Sequence, residues 1–330
     1  MQSKWIECAA AAAASLLLGL AVAAPAMAQS AYPAKPLRLV IPFPPGGPTD
    51  VFGRQYASRL AAVLGQPVVV DNKSGASGVV GTLEVKRSAA DGYTLLFGTA
   101  STNCLYALLH EKPQYDVLND FAPIAIVGGA SIVFTAHPSL PPTLKGVMDA
   151  ARAQPGKLQY GSPGAGTLMH ISVERLKRDT GADLQHIPFR CSAPSMQALL
   201  GGQIGFSVDT LAPSLANHKA GKIRILALAS ARRSPLAPDV PTVDEALGSK
   251  GFEALLWNVV TVPAGTPAAV VDALAQASAR VMADASLLEQ LAGLGIEAVS
   301  GSNPAAAAAY IRAELARWKP VIEASGIKAE

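Results

Sequence analysis

Leu37-Arg38-Leu39-Val40-Ile41-Pro42-Phe43-Pro44-Pro45-Gly46-Gly47-Pro48-Thr49-Asp50 decides the fold class. Leu37–Pro42 is a short apolar run and reads as a buried strand. The Pro/Gly stretch from Pro44 to Pro48 continues neither strand nor helix, so it is a loop. Beyond it Phe52, Tyr56, Leu60 and Val63 recur at helical spacing, Gly65 stops the helix, and Pro67 follows. The alternation then repeats, with a strand over Pro67–Val70, a helix over Gly75–Arg87 and a strand over Tyr93–Phe97 ending in Gly98-Thr99. Strand–helix–strand order of this kind predicts an α/β fold built on a parallel sheet with helices on both faces.

A second unit of the same style follows Gly129. Ile132–Ala136 reads as a strand, Leu144–Ala153 as a helix, and Leu158–Tyr160 as a strand entering a second glycine-rich loop, Gly161–Thr167. A helix from Leu168 ends at Gly181. His186–Phe189, Ile204–Val208 and Ile223–Ala229 read as strands, and Pro194–Leu200 as a helix with proline in its first turn. After a strand at Val259–Val262, Thr266-Pro267 and Asn303-Pro304 each place a cap residue before a proline, opening two terminal helices. The last of these carries Ile311, Leu315 and Trp318 at helical spacing.

Met1–Ala28 has the three parts of a secretory leader: Lys4, the apolar Ala9–Val22, and the small-x-small Ala26-Met27-Ala28. Export and cleavage before Gln29 are expected. Pro25 breaks the apolar run before it reaches the roughly 20 residues of a membrane span. The remaining length exceeds one usual domain, so two are expected. The net charge of +3 comes without a like-charged block, which argues against a nucleic-acid partner. Cys104 and Cys191 make no disulfide framework, and the five histidines show no metal-ligand spacing, so neither metal nor cofactor is expected.

Phe43–Asp50 and Gly161–Thr167 are the same device twice: a glycine-rich loop between a buried strand and a helix. Such a loop exposes backbone N–H groups, and the helix N-terminus adds about half a positive charge. Thr49, Ser162 and Thr167 add hydroxyls, with Asp50 a first-turn acid. Each loop alone also fits a plain strand-to-helix turn, but two of them at the carboxyl ends of strands predict an anion site. Neither is a nucleotide-binding motif, and no Gly-x-Ser-x-Gly elbow occurs. Arg190 beside Cys191 leaves a secreted thiol hydrolase as the alternative from another class, without a convincing base. Phe189 and Trp257 suit core packing better than a cleft.

Several ordered motifs resemble the Bug solute receptors, the TctC-like components of tripartite tricarboxylate transporters. They include Tyr32–Arg38, Pro42–Asp50, Leu64–Asn72, Asp91–Leu96 and Asp120–Pro123. Gly164–Thr167 with His170, Ser192–Pro194, Leu200–Gln203, Ala220–Arg224, Pro238–Thr242 and Pro263–Pro267 extend the likeness over the mature chain. The resemblance implies a two-domain type II periplasmic binding protein fold, each domain a mostly parallel sheet flanked by helices, with a ligand cleft between them. It implies domains of 29–129 plus 258–330 and of 130–257, and a monomer serving membrane transporter subunits in the periplasm. It further implies two pincers on a small carboxylate, which could be a di- or tricarboxylate, an amino acid or an aromatic acid. Phe43, Gly46, Gly47, Thr49 and Asp50 would form one pincer. Ser162, Gly164, Ala165, Gly166, Thr167 and His170 would form the other, and Thr99, Ser101, Asn103 and Asp209 the far wall.

The chain departs from the family pattern at Pro48, where a small hydroxyl residue is common, and at Asn103, where histidine is frequent. Arg190-Cys191 replaces a usual Lys-Gly pair. These departures bear on the ligand rather than on the fold. An orphan receptor feeding a sensor is the alternative within the class. Cys104 and Cys191 each follow a strand aimed at the cleft; two independent thiols are the expectation, with a disulfide between them as the alternative.

Overall fold

The computed structural model describes residues 32–328. The leader and the cleavage site before Gln29 lie outside them. From Lys35 onward the chain is one compact unit.

In chain order the elements are β1 Leu37–Ile41, α1 Pro48–Leu64, β2 Val68–Asn72, α2 Val79–Lys86, β3 Thr94–Thr99, α3 Tyr106–Leu109 and β4 Phe121–Ala136. There follow α4 Leu144–Ala153, β5 Leu158–Ser162, α5 Leu168–Thr180, β6 Leu184–Pro188, α6 Ser192–Leu200, β7 Phe206–Thr210, α7 Leu211–Lys219 and β8 Arg224–Leu228. The chain ends with α8 Val243–Leu247, β9 Leu255–Pro263, α9 Ala268–Val281, α10 Ala285–Gly293, β10 Ile296–Ala298 and α11 Pro304–Ser325.

The strand order is β2-β1-β3-β9-β4-β7-β5-β6, with β8 and β10 also on β4. β1 pairs in parallel with β2 and β3, and β5 with β6 and β7. β9 runs antiparallel to β3 and β4, and β4 runs antiparallel to β7 and β8. In the first half-sheet β9 and β10 run against β1 to β4, and in the second β4 runs against β5 to β8, so each half is mostly parallel, in line with the α/β expectation. β4 belongs to both halves. Its first part pairs with β9 and its last five residues with β7.

The expected strand Ile132–Ala136 is only the end of β4. Pro123 and Gly128 read as breakers, yet each sits at a register shift that absorbs it. Gly128 takes φ +153°, and a Cβ there would lie 2.7 Å from the Glu297 carbonyl. The helix expected at Gly75 begins at Val79, because Ala76 and Ser77 adopt left-handed φ of 44° and 52°. Thr266 does not cap α9. Pro267 holds the cap position, and the Thr266 hydroxyl donates to Pro263 O (2.7 Å). Asn303 caps α11 as expected, accepting from Ala306 N–H at 2.9 Å.

Phe52, Tyr56 and Leu60 bury one face of α1, with Phe52 edge-on to Phe97 at 5.2 Å. Trp257 is core, not cleft: its indole and that of Trp318 both donate to the buried Glu314 carboxylate (2.9 and 3.2 Å). Phe189 packs against a small cluster around Leu199 and Ile204.

Candidate functional site

The first glycine-rich loop is held from beneath by Asp50, 3% exposed. Its carboxylate accepts from Gly46 N–H (2.9 Å), Arg54 Nε (2.9 and 3.0 Å) and Asn72 Nδ2 (2.8 Å). Asn72 also donates to the Phe43 carbonyl at 3.0 Å. Burial pushes the acid upward, but the donors, Arg54 first, outweigh it and hold the pKa below the ordinary carboxylate value. With these acceptors occupied, Asp50 shapes the loop rather than meeting a ligand. Gly46 supplies the φ of +82° that the turn requires.

The second loop is organised by Thr167, which caps α5. Its hydroxyl donates to Gly164 O (2.8 Å) and accepts from His170 N–H (3.4 Å). Ser162 is buried under the loop, accepting from Gly164 N–H (3.2 Å) and lying 2.7 Å from His186 Nε2. His170 stacks on His186 with ring centroids 4.0 Å apart, and Tyr160 covers the far face of His186 at 4.8 Å. Gly166 N–H donates to His170 Nδ1 (3.1 Å), which requires a neutral ring. Burial first, then His186 and Lys177, lower the His170 pKa to about 3. Burial likewise lowers His186 to about 4, against the pull of Glu174.

Phe43, Gly47 and Thr49 from the first loop and Pro163 and Thr167 from the second line one inner pocket of about 50 Å³. Ser101, Cys191 and Ser192 also line it. A water needs at least about 10–15 Å³ on such a measure, so the pocket fits a carboxylate or a few waters. Gly47, Pro48, Cys191 and Ser192 also border a chamber of about 550 Å³. Three helices open onto this chamber: α1 at Gly47 and Pro48, α6 at Cys191 to Ala193, and α7 at Thr210 and Ala212. None of the three has a side-chain cap. Elsewhere α4, α8, α10 and α11 are capped by Thr143, Thr242, Asp284 and Asn303, α5 at the inner pocket is capped by Thr167, and α9, which lines neither cavity, has no side-chain cap. The first-turn N–H groups at the chamber are thus left for a ligand. The Thr210 hydroxyl borders it too, 1% exposed and close to the Asp209 carboxylate, which it helps to hold ionised.

Asp209 reaches the chamber wall at the end of β7. Burial raises its pKa to about 6, partly offset by hydrogen bonds from Thr210 N–H and Ser192. Thr99 and Asn103 do not line either cavity. Beyond β3 the chain winds into a π-turn, Ser101–Leu105, that turns both residues inward. Asn103 Oδ1 accepts from the Thr102 hydroxyl (2.8 Å) and tucks against Gly98, where a Cβ would lie 1.9 Å from it. Ser101 alone reaches the inner pocket, its hydroxyl accepting from Leu168 N–H (3.1 Å). Ala165, Gly166 and His170 face a separate cavity of about 540 Å³, together with Ser77 and Tyr106. Gly164 stands next to Ser77, whose hydroxyl would lie 3.2 Å from a Cβ there.

Sequence reasoning missed the α6 and α7 N-termini as site elements. Ser192-Ala193-Pro194 and Thr210-Leu211-Ala212-Pro213 share a hydroxyl residue shortly before a proline, the signal that could have found both. It also missed Ser77, whose hydroxyl donates to Ala165 O (2.6 Å) and so ties the first half of the chain to the second loop. Cys104 and Cys191 are both free: Cys104 is buried in the core, where burial pushes its pKa up, and Cys191 lines the chamber. Among the described residues no cluster of acids, histidines and cysteines could hold a metal, and no helix is long and apolar enough to cross a membrane.

Residues 52–327 match the family described as the tripartite tricarboxylate transporter family receptor. The periplasmic binding protein BugD has a similar structure, with a TM-score of 0.84 and 32% identity over 91% of this chain and 100% of BugD. A Rhodopseudomonas palustris protein solved with adipate gives 0.85 and 34% over 90% and 99%. MatC from the same organism, solved with malate, gives 0.82 and 30% over 88% and 100%. The fold is the two-domain one of periplasmic binding proteins, and the family consists of solute-binding receptors, so the hydrolase alternative falls. Family match, fold and the paired loops agree: this chain belongs to the tripartite tricarboxylate transporter receptors, the Bug or TctC-like periplasmic solute-binding receptors.

Proposed function

We propose that this chain captures a small carboxylate in a cleft between one lobe of residues 29–129 plus 258–330 and another of 130–257. The observation that carries the reading is the convergence of three uncapped helix N-termini and two glycine-rich loops on connected cavities. Phe43, Gly47, Thr49, Ser101 and Thr167 clamp the carboxylate in the inner pocket, and the rest of the ligand extends into the chamber. Relatives solved with adipate and malate support the ligand class. Met1–Ala28 serves as a cleaved export leader, and the loaded receptor, a monomer, delivers its ligand to a tripartite tricarboxylate-type transporter.

Isothermal titration of the mature protein with mono-, di- and tricarboxylates tests the capture. Saturable binding of at least one acid, lost on closing the inner pocket, is the expected result. Absence of binding across the panel refutes the reading. N-terminal sequencing of the exported protein tests the leader, with Gln29 the expected first residue.

A further inference from the structure

We infer that the ligand is a monocarboxylic acid with an apolar body, aromatic or branched aliphatic, rather than a di- or tricarboxylate. The inference rests on the receptor reading above and narrows it. The inner pocket, at about 50 Å³, has room for one carboxylate, and the N-termini of α1 and α6 both border it. The α7 N-terminus has an acid of the protein's own beside it: Asp209 Oδ1 accepts from the N–H of the N-cap Thr210 at 2.7 Å. Asp209 is 2% exposed and also takes a hydrogen bond from Ser192. Asp209 thus takes the N-cap N–H of the third helix and places a negative charge at the wall.

The rest of the chamber has nothing to neutralise a second ligand carboxylate. Val51, Ala130, Met196, Ala212, Leu294 and Ile296 line most of it, with Gln197 and Thr210 as neutral polar side chains, and among the described residues no lysine, arginine or histidine borders either this chamber or the inner pocket. A second carboxylate placed there would lose its hydration against apolar walls and face the Asp209 carboxylate without a cation between them. An apolar body loses nothing of the kind and gains from burial. At about 550 Å³ the chamber falls within the roughly 300–1,000 Å³ of small-molecule pockets, ample for a phenyl or branched alkyl group.

The test is isothermal titration of the mature protein at pH 7.5 with 3-phenylpropionate, 4-methylpentanoate, adipate, citrate and phenylalanine. The two monocarboxylates are expected to bind at least ten-fold tighter than adipate or citrate. Asp209→Asn is expected to narrow the gap between 3-phenylpropionate and adipate several-fold, by removing the like charge. Adipate or citrate binding as tightly as the monocarboxylates would overturn the inference and leave the receptor reading intact. Phenylalanine binding tighter than 3-phenylpropionate would also overturn it, making Asp209 the partner of a ligand ammonium group. An unchanged gap in a folded Asp209→Asn protein would overturn the charge argument. Failure of all five acids would overturn both the inference and the carboxylate reading beneath it.

Discussion

Gly47 stands where the inner pocket and the chamber meet, and its backbone is unstrained for any side chain: φ is −78°, and a Cβ would find only Pro44 O, at 3.6 Å. Gly47→Val is therefore expected to fold with a melting temperature within a few degrees of the parent while binding carboxylates at least ten-fold more weakly. Paired calorimetry and thermal denaturation check this, and equal affinity in a folded variant would count against the clamp. His170 makes the second prediction at this scale. Its folded pKa, about 3, lies below the ordinary value of 6.5, so between those values the unfolded chain binds the extra proton. Stability conferred by the neutral ring is complete above pH 6.5 and lost as pH falls toward 3, at up to about 1.4 kcal/mol per pH unit. His186 acts in the same direction down to about pH 4. Asp209, raised to about 6, acts oppositely: its contribution falls as pH rises from 3.8 to 6. Urea unfolding from pH 7 to pH 5 should show declining stability, and His170→Asn should flatten the slope.

At the scale of elements, both loops are shaped by bonds that local sequence does not announce. Asp50 joins α1 to its own loop through Gly46 and to β2 through Asn72. Asp50→Asn removes the charge that holds Arg54 and should cost about 1–3 kcal/mol, the usual range for a buried charged hydrogen-bond acceptor, together with most ligand affinity. Denaturant titration checks the first part and calorimetry the second. The turn before α2 offers a sharper contrast. Ser77 combines an unfavourable φ of 52° with the bond to Ala165 O. Ser77→Ala keeps the strain and loses the bond, so its melting temperature should fall. Ser77→Gly also loses the bond but relieves the strain, so it should melt above Ser77→Ala. The reverse order in thermal denaturation would remove Ser77 from the contacts that matter.

Across the whole molecule, the strands that lead to the site end near one another because β4 is shared by both half-sheets. That arrangement lets a ligand touch loops more than a hundred residues apart in sequence, and it predicts closure on binding. Small-angle scattering should show a smaller radius of gyration with saturating ligand. A ligand at a hundred times its dissociation constant should add about 2.7 kcal/mol of stability.

The strand-and-helix alternation and the two glycine-rich loops were legible in the chain, because they rest on local periodicity and on where glycine and proline interrupt it. Thr49, Thr167 and Asp209 line the cavities and flank those interruptions. Thr99 and Asn103 could not be placed, since whether a residue at a strand end faces cleft or core depends on the π-turn that follows. The length of β4 was hidden because Pro123 and Gly128 look like breakers until partner strands absorb them as bulges. Sequence by itself determined that two glycine-rich loops would each sit between a strand and a helix N-terminus. Only the tertiary structure decided which helix ends share a cavity, where Asp209 places its charge, and how apolar the remaining walls are, because those properties come from packing between segments far apart in the chain.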